Sequence, residues 1–396
     1  MKKLRYLDYY ILVPYLVLTA IGVVMVYSAS AYWIKTQYGM AETAMMVRQL
    51  LFALIGLFLV VFFYYFKLQV FTHPRWIKLM WAITFALLLY LFLLSHLRPS
   101  AAINGATAWI QLGPINIQPT ELAKLAVIVY LATMFSKRQN QMLDPDFSLK
   151  QLAQPVIMVA FCLILVLFQP DTGGAMIIGG ITVVMLAASG ISIRYGLTWA
   201  AAVGALVAGL YYALSHLSLP KALLESYQVR RLLAAIHPFA MRKLEGNQVV
   251  NSLVAIAHGG MFGVGLGNSS QKLGYLPEPY TDFILAVITE ELGLIGAIVI
   301  IGLIFFLILR FYLLGVRAQS SYHALIAYGI ATMMLIQTTF NVGAVVGLLP
   351  VTGVTLPFIS YGGSSMFVLC AAIGIMLNIS ATQKRAKEKK VGVKHA

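Results

Sequence analysis

The sequence predicts an all-α polytopic membrane protein, and three observations lead there. Hydrophobic residues make up 60% of the 396 and charged ones only 10%, against roughly 25% charged in a soluble domain. Apolar runs of about 20 residues, the length that crosses a hydrocarbon core, recur from end to end. The lysines and arginines collect in the short segments between those runs. A soluble chain of this composition lacks the polar side chains to cover its core, whereas lipid-facing positions call for apolar ones.

About ten transmembrane helices are expected, at 11–32, 48–66, 76–96, 120–136, 155–169, 173–190, 195–215, 283–309, 321–345 and 355–380. The first begins at Ile11 with no small-residue cleavage site after it, so it reads as a retained helix and not a signal peptide. The fifth and sixth are split only by Gln169-Pro170-Asp171-Thr172; fused, their length would overshoot a bilayer. Between the seventh and eighth lies a large external loop, about 216–281, too apolar to be a floppy linker. Within it, Gln248–His258 reads as an amphipathic helix, with Val249, Val250, Leu253, Val254 and Ile256 opposite Asn251 and Ser252, stopped by Gly259-Gly260. The tenth span opens at Gly362-Gly363-Ser364-Ser365. No repeat or second domain is evident, and 1–396 reads as one transmembrane domain.

Orientation follows from the positive charges in short loops. With the N-terminus in the cytoplasm, that side receives Lys2, Lys3, Arg5, Lys67, Arg75, Lys78, Lys137, Arg138, Lys150, Arg194, Arg310, Arg317 and a basic tail, about 381–396. The short external loops keep only Lys35, Arg48 and Arg98. Both termini are therefore expected in the cytoplasm. The same distribution turns the net charge of +15 away from nucleic acid and toward anionic lipid headgroups. Cys162 and Cys370 sit inside apolar runs and suggest neither disulfide nor zinc site.

No Walker loop, dinucleotide fingerprint, zinc spacing or Ser-His-Asp arrangement can be placed. The candidates are ionisable residues at membrane depth or at span ends, which are costly to bury. Asp282 leads them, where the long loop enters the eighth span. It is either a helix cap or a base. Glu278, Glu290 and Glu291 crowd near it, and Asp282 and Glu290 could share a helix face and raise one pKa. Glu121 and Lys124 open the fourth span at i,i+3 spacing, as a structural ion pair or with the lysine free to neutralise an anion. Arg230 and Arg231, with Arg242 and Lys243, form a basic patch in the long loop. Trp109 reads as an interface-belt residue or a sugar platform. Gly363 and Ser364 suit either close helix packing or anion binding at a helix start. Asp171 is explained by turn chemistry.

Three stretches together resemble the SEDS family (shape, elongation, division and sporulation). The first runs from Gly105-Ala106 and Trp109-Ile110 through Gln118-Pro119-Thr120-Glu121-Leu122-Ala123-Lys124. The second comprises Gly259-Gly260 through Gly267, Tyr275-Leu276-Pro277-Glu278 and Thr281-Asp282-Phe283-Ile284. The third runs from Pro350-Val351-Thr352-Gly353 through Pro357-Phe358-Ile359-Ser360-Tyr361-Gly362-Gly363-Ser364-Ser365. Gln271-Lys272-Leu273 and Glu290-Glu291-Leu292-Gly293 resemble the division member more than the elongation member. Ala108 and Tyr280 depart from the family, where a polar or basic residue and a histidine are common.

The resemblance implies an inverting peptidoglycan glycosyltransferase that polymerises lipid II at the outer face of the bacterial cytoplasmic membrane, for septal wall synthesis. It implies Asp282 as catalytic base, with Trp109, Glu121, Lys124, Arg230, Arg231, Glu278, Gly363 and Ser364 as substrate-binding candidates. It specifies no cofactor, and a divalent cation, Mg²⁺ or Mn²⁺, would suit the pyrophosphate. The implied partners are lipid II and polyprenyl-linked glycan, a class B penicillin-binding protein, divisome proteins and membrane lipids. The competing readings are a lipid II flippase and an elongation-type polymerase.

Overall fold

The structure is a computed structural model that describes residues 3–97, 108–112, 115–142, 149–190, 227–242 and 246–394, with isolated positions at 198, 201, 205, 209 and 212. Nine of the expected spans appear as helices: α1 (Tyr9–Tyr38), α2 (Ala44–Tyr65), α3 (Pro74–Leu97), α4 (Pro119–Met142), α5 (Ala153–Phe168), α6 (Thr172–Ala187), α9 (Ile284–Val316), α10 (Ser321–Val345) and α11 (Gly363–Lys394). The expected seventh span, 195–215, lies outside the described residues but for those isolated positions. Seven of the helices are long and apolar enough to cross a membrane, while α5 and α6 are shorter. The protein is a multi-pass membrane protein. Two short helices, α7 (Tyr227–Ile236) and α8 (Gly246–Gly259), precede α9.

The fold is all-α apart from one short antiparallel hairpin, β1 (Ile110–Leu112) and β2 (Ile115–Ile117), ahead of α4. Three expectations need correction. The tenth span begins at Gly363 rather than at 355, because Gly353 (φ 70°) and Phe358 (φ 64°) are left-handed and Pro357 lies between them. The tail is not simply solvated, since α11 continues to Lys394 and its exit is tied to the N-terminus. Helix α8 does not turn Asn251 and Ser252 to water. Both are buried, donating hydrogen bonds to the carbonyls of Tyr275 and Val345 respectively, because a buried polar group needs a partner.

Helix α11 is the most enclosed, with 89% of its apolar window buried against 28% for α2 and α3, which therefore face lipid. Small residues let α2 and α11 approach: a Cβ on Gly374 would lie 2.6 Å from the Val60 carbonyl, and one on Gly56 2.5 Å from Cys370 Sγ. The two ends of the bundle differ in chemistry. At one end, Asp8 is buried beside Arg310 (2.7 Å) and accepts from Ser380 Oγ (2.6 Å). Lys384 Nζ donates to the Leu7 carbonyl and Arg5 pairs with Glu388 at 3.2 Å. The N-terminus, the end of α9 and the end of α11 thus share one face. The starts of α4, α6, α9 and α11 gather on the other.

Candidate functional site

That second face is built from the three sequence stretches. Ser364 Oγ, in the first turn of α11, donates to the Asn116 carbonyl and accepts from the Gln118 amide, both at 2.9 Å. Gln118 Nε2 donates to Asp171 Oδ2 at 3.0 Å, while Asp171 Oδ1 caps α6 by accepting from the Gly174 amide at 2.8 Å. Asn341, near the end of α10, donates to the carbonyls of Asp282 (2.7 Å) and Val354 (2.8 Å). The Tyr361 amide donates to the Tyr280 carbonyl at 2.9 Å, and Arg231 Nη1 to the Val351 carbonyl at 3.1 Å. Stretches far apart in the chain become one rigid frame around the entry to α9.

Asp282 stands in that frame. The preceding segment turns sharply at Glu278, a left-handed residue with φ 53°, which swings its carboxylate back toward Asp282. Thr281 Oγ1 lies 3.0 Å from both Glu278 Oε2 and Asp282 Oδ1. A hydroxyl has one proton, so it serves only one of the two carboxylates at a time. Burial, and then the Glu278 charge, push the Asp282 carboxyl up to about 6; Thr281 and the Arg231 charge pull the other way. A carboxyl titrating there is a base near neutral pH. The cap alternative is not what the chain adopts: the N-cap of α9 is Phe283, and no side chain caps it.

The carboxylate beside Asp282 is Glu278, not Glu290, which corrects the shared-face expectation. Glu290 is fully buried and accepts from Ser270 Oγ (2.9 Å), the Ser270 amide (3.0 Å) and Ser269 Oγ, with His258 Nδ1 at 2.8 Å. Glu291 is held by Lys272 Nζ at 2.6 Å.

The remaining candidates fall into two groups. Glu121 and Lys124 form a closed pair at 2.7 Å, with Lys124 only 1% exposed. Ser364 is committed to the hairpin, and a Cβ on Gly363 would press the Phe52 ring at 3.2 Å. These hold the frame together. Arg231 and Glu278 sit at its rim, with Arg230 beside Arg231 on α7, and half-buried Trp109 lies just ahead of β1. Ala108 and Tyr280, the two departures, are buried. Lys243 and residues 104–107 lie outside the described residues. Sequence reasoning missed Asn341 and the Gln118–Asp171 contact. The signal for Asn341 was available: an amide in an apolar span must find partners.

A family model described as "Cell cycle protein", spanning FtsW, RodA and SpoVE, matches residues 9–385. The chain belongs to this family. It is 38% identical over 98% of its length to the probable peptidoglycan glycosyltransferase FtsW of Bacillus subtilis, covering 94% of that protein. It is 36% identical to stage V sporulation protein E of the same bacterium, over 94% of this chain and 96% of the relative. A solved peptidoglycan synthase complex, described as coordinating polymerization and crosslinking, contains a chain with TM-score 0.69 and 26% identity, covering 95% of this chain and 98% of that one. The rod shape determining protein RodA of Thermus thermophilus gives TM-score 0.63 at 26% identity, over 94% and 96% of the two chains. This family member is a multi-pass protein of the cytoplasmic membrane.

Proposed function

We propose that this family member polymerises lipid II into glycan strands at the outer face of the membrane for septal wall synthesis, with Asp282 as the base. The observation that carries the reading is the half-buried pair of carboxylates Asp282 and Glu278, joined by Thr281 at the entry to α9, where three sequence stretches converge. The 4-hydroxyl of the GlcNAc of incoming lipid II attacks C1 of the MurNAc at the donor end. Asp282 takes the hydroxyl proton, the C1–oxygen bond to the polyprenyl pyrophosphate breaks, and the anomeric centre inverts. Arg230 and Arg231 supply positive charge for the departing pyrophosphate. Lys124 supports the helix start through Glu121. Among the described residues no group of three His, Cys, Asp or Glu could hold a metal.

Ten spans with both termini in the cytoplasm fit this reading. α6 descends from Gly173, beside Thr352 and Val354, to Met185, beside Gly329 on the lower part of α10. α7 lies back on the site face through Arg231 and Val351. In this reading the expected span at 195–215 carries the chain from α6 back to α7. The partner is a class B penicillin-binding protein, whose single helix packs on α9, where Leu294, Ile298, Val299 and Leu309 are exposed. α10, at 67% buried, has little surface to offer. Crosslinks from the partner helix should map to those α9 positions; a consistent map to α1 and α2 would overturn this.

The test of the chemistry is Asp282→Asn, nearly isosteric, assayed with the partner and purified lipid II. Loss of a general base costs about 10²–10⁴-fold, so polymer should essentially vanish from a gel at matched abundance and matched partner pull-down. Near-normal polymerisation would remove Asp282 from the chemistry.

A further inference from the structure

Helix α9 is broken at Gly293, whose φ of 73° and ψ of 177° are non-helical. The piece above the break, Ile284–Leu292, begins two residues after Asp282, and Ile284 through Glu291 are all buried. The break strands the carbonyls of Glu290 and Glu291 and the amides of Leu294 and Ile295. All four are taken up by one loop: the Val264 and Gly265 amides donate to the two carbonyls (2.9 and 3.0 Å), and the Leu294 and Ile295 amides donate to Gly260 and Met261 (2.9 and 3.3 Å). The approach is so close that a Cβ on Gly259 would lie 2.2 Å from the Thr289 carbonyl. The loop continues to Lys272, whose Nζ donates to Glu291 Oε1 (2.6 Å), the Gly267 carbonyl (2.8 Å) and Ser28 Oγ (3.0 Å). Ser28, on α1, itself donates to the Glu291 carboxylate at 2.7 Å.

Nothing in the proposed chemistry uses these groups, yet they are expensive. A lysine and a glutamate, 6% and 1% exposed, are out of water, and such a pair adds little net stability over an apolar substitute. What it does add is a fixed geometry between three elements. The half-helix that follows Asp282 is too short to hold itself, and among the charged side chains of the described residues the Lys272–Glu291 contact is the one that ties it to α1.

We infer that Lys272, Glu291 and Ser28 form a positioning triad, which sets the half-helix against α1 and thereby sets Asp282 against Glu278 and the substrate. The inference rests on the polymerase reading above. None of the three is a catalytic residue; they act through the position of Asp282. Displacement of a catalytic group by about 1 Å can cost on the order of 10²-fold in rate, so a small relaxation here suffices.

The experiment measures lipid II polymerisation by the full chain with its partner for Lys272→Met, Glu291→Gln, their double variant, Lys272→Arg and Ser28→Ala, with folded enzyme counted in each sample. Each of the first two should lower kcat by about 10-fold or more with little change in KM. The double variant should be no worse than either single, because one contact has been lost. Lys272→Arg should recover most of the rate, and Ser28→Ala, which removes no charge, should lose only a few-fold. Relaxation would expose Asp282 further to water, so the acidic inflection of the rate profile should move down toward the ordinary carboxylate range. The groups bearing on that inflection, Glu278, Thr281 and Arg231, are unchanged in these variants. Reduced thermal stability with normal kcat per folded enzyme and an unmoved inflection, in Ser28→Ala as well as in the charge variants, would overturn the inference. An active Asp282→Asn control would instead overturn the polymerase reading on which it rests.

Discussion

At the scale of single residues, the decisive quantity is the proton on Asp282. A base with its carboxyl near 6 is mostly protonated at pH 5 and mostly free at pH 7. Its rate should therefore climb through about pH 6 as the proton leaves. Glu278 raises that value by like-charge repulsion, second to burial. Glu278→Gln removes the repulsion and should shift the inflection to lower pH, while costing far less activity than Asp282→Asn. A pH–kcat/KM profile of the two enzymes checks the sign; an inflection that moved up would mean that Glu278 acts as something other than a charged neighbour.

At the scale of elements, the break in α9 makes a specific demand on one residue. Gly293 combines a positive φ with contacts of 2.3 and 2.5 Å from a would-be Cβ to Met261 O and Gly263 N. Neither backbone can yield without breaking the hydrogen bonds between this loop and α9. Gly293→Ala should cost roughly 3 kcal/mol or more, seen as a large drop in thermal midpoint in detergent. Gly302, nine positions further along, has nothing within 4 Å, and Gly302→Ala should be neutral or slightly stabilising. Equal effects of the two substitutions would mean that the break is not a packed feature.

At the scale of the molecule, the termini are locked together. Asp8 is wholly buried, and its charge is met by Arg310 at 2.7 Å and Lys384 at 3.8 Å. Removing one partner of a buried pair typically costs about 3–5 kcal/mol because the other charge is stranded. Asp8→Ala should lower thermal stability by that order, and Asp8→Ala with Arg310→Met should recover part of it. The shared face of the two termini also has a topological consequence. An impermeant thiol reagent applied outside should label Asn116→Cys and Phe239→Cys but not Lys137→Cys or Lys387→Cys. Reversed labelling at two of these positions would overturn the orientation.

The sequence by itself determined the membrane class, the apolar helices and the stretches worth watching. Each of those properties is local: an apolar run of sufficient length needs the bilayer whatever its neighbours do, and a carboxylate at a helix entry is visible from its own surroundings. Tertiary structure alone decided which carboxylates meet. Asp282 and Glu290 looked like neighbours along a regular helix, but Glu278 at φ 53° turns back toward Asp282 while Glu290 is drawn off by Ser269, Ser270 and His258. It also decided that Lys124 closes on Glu121 and that Lys272 reaches α1, contacts set by where buried charges find partners across 3 to 244 residues of chain. A buried charge is satisfied by whichever group the packed fold brings within 3 Å, and that proximity is a property of the whole bundle.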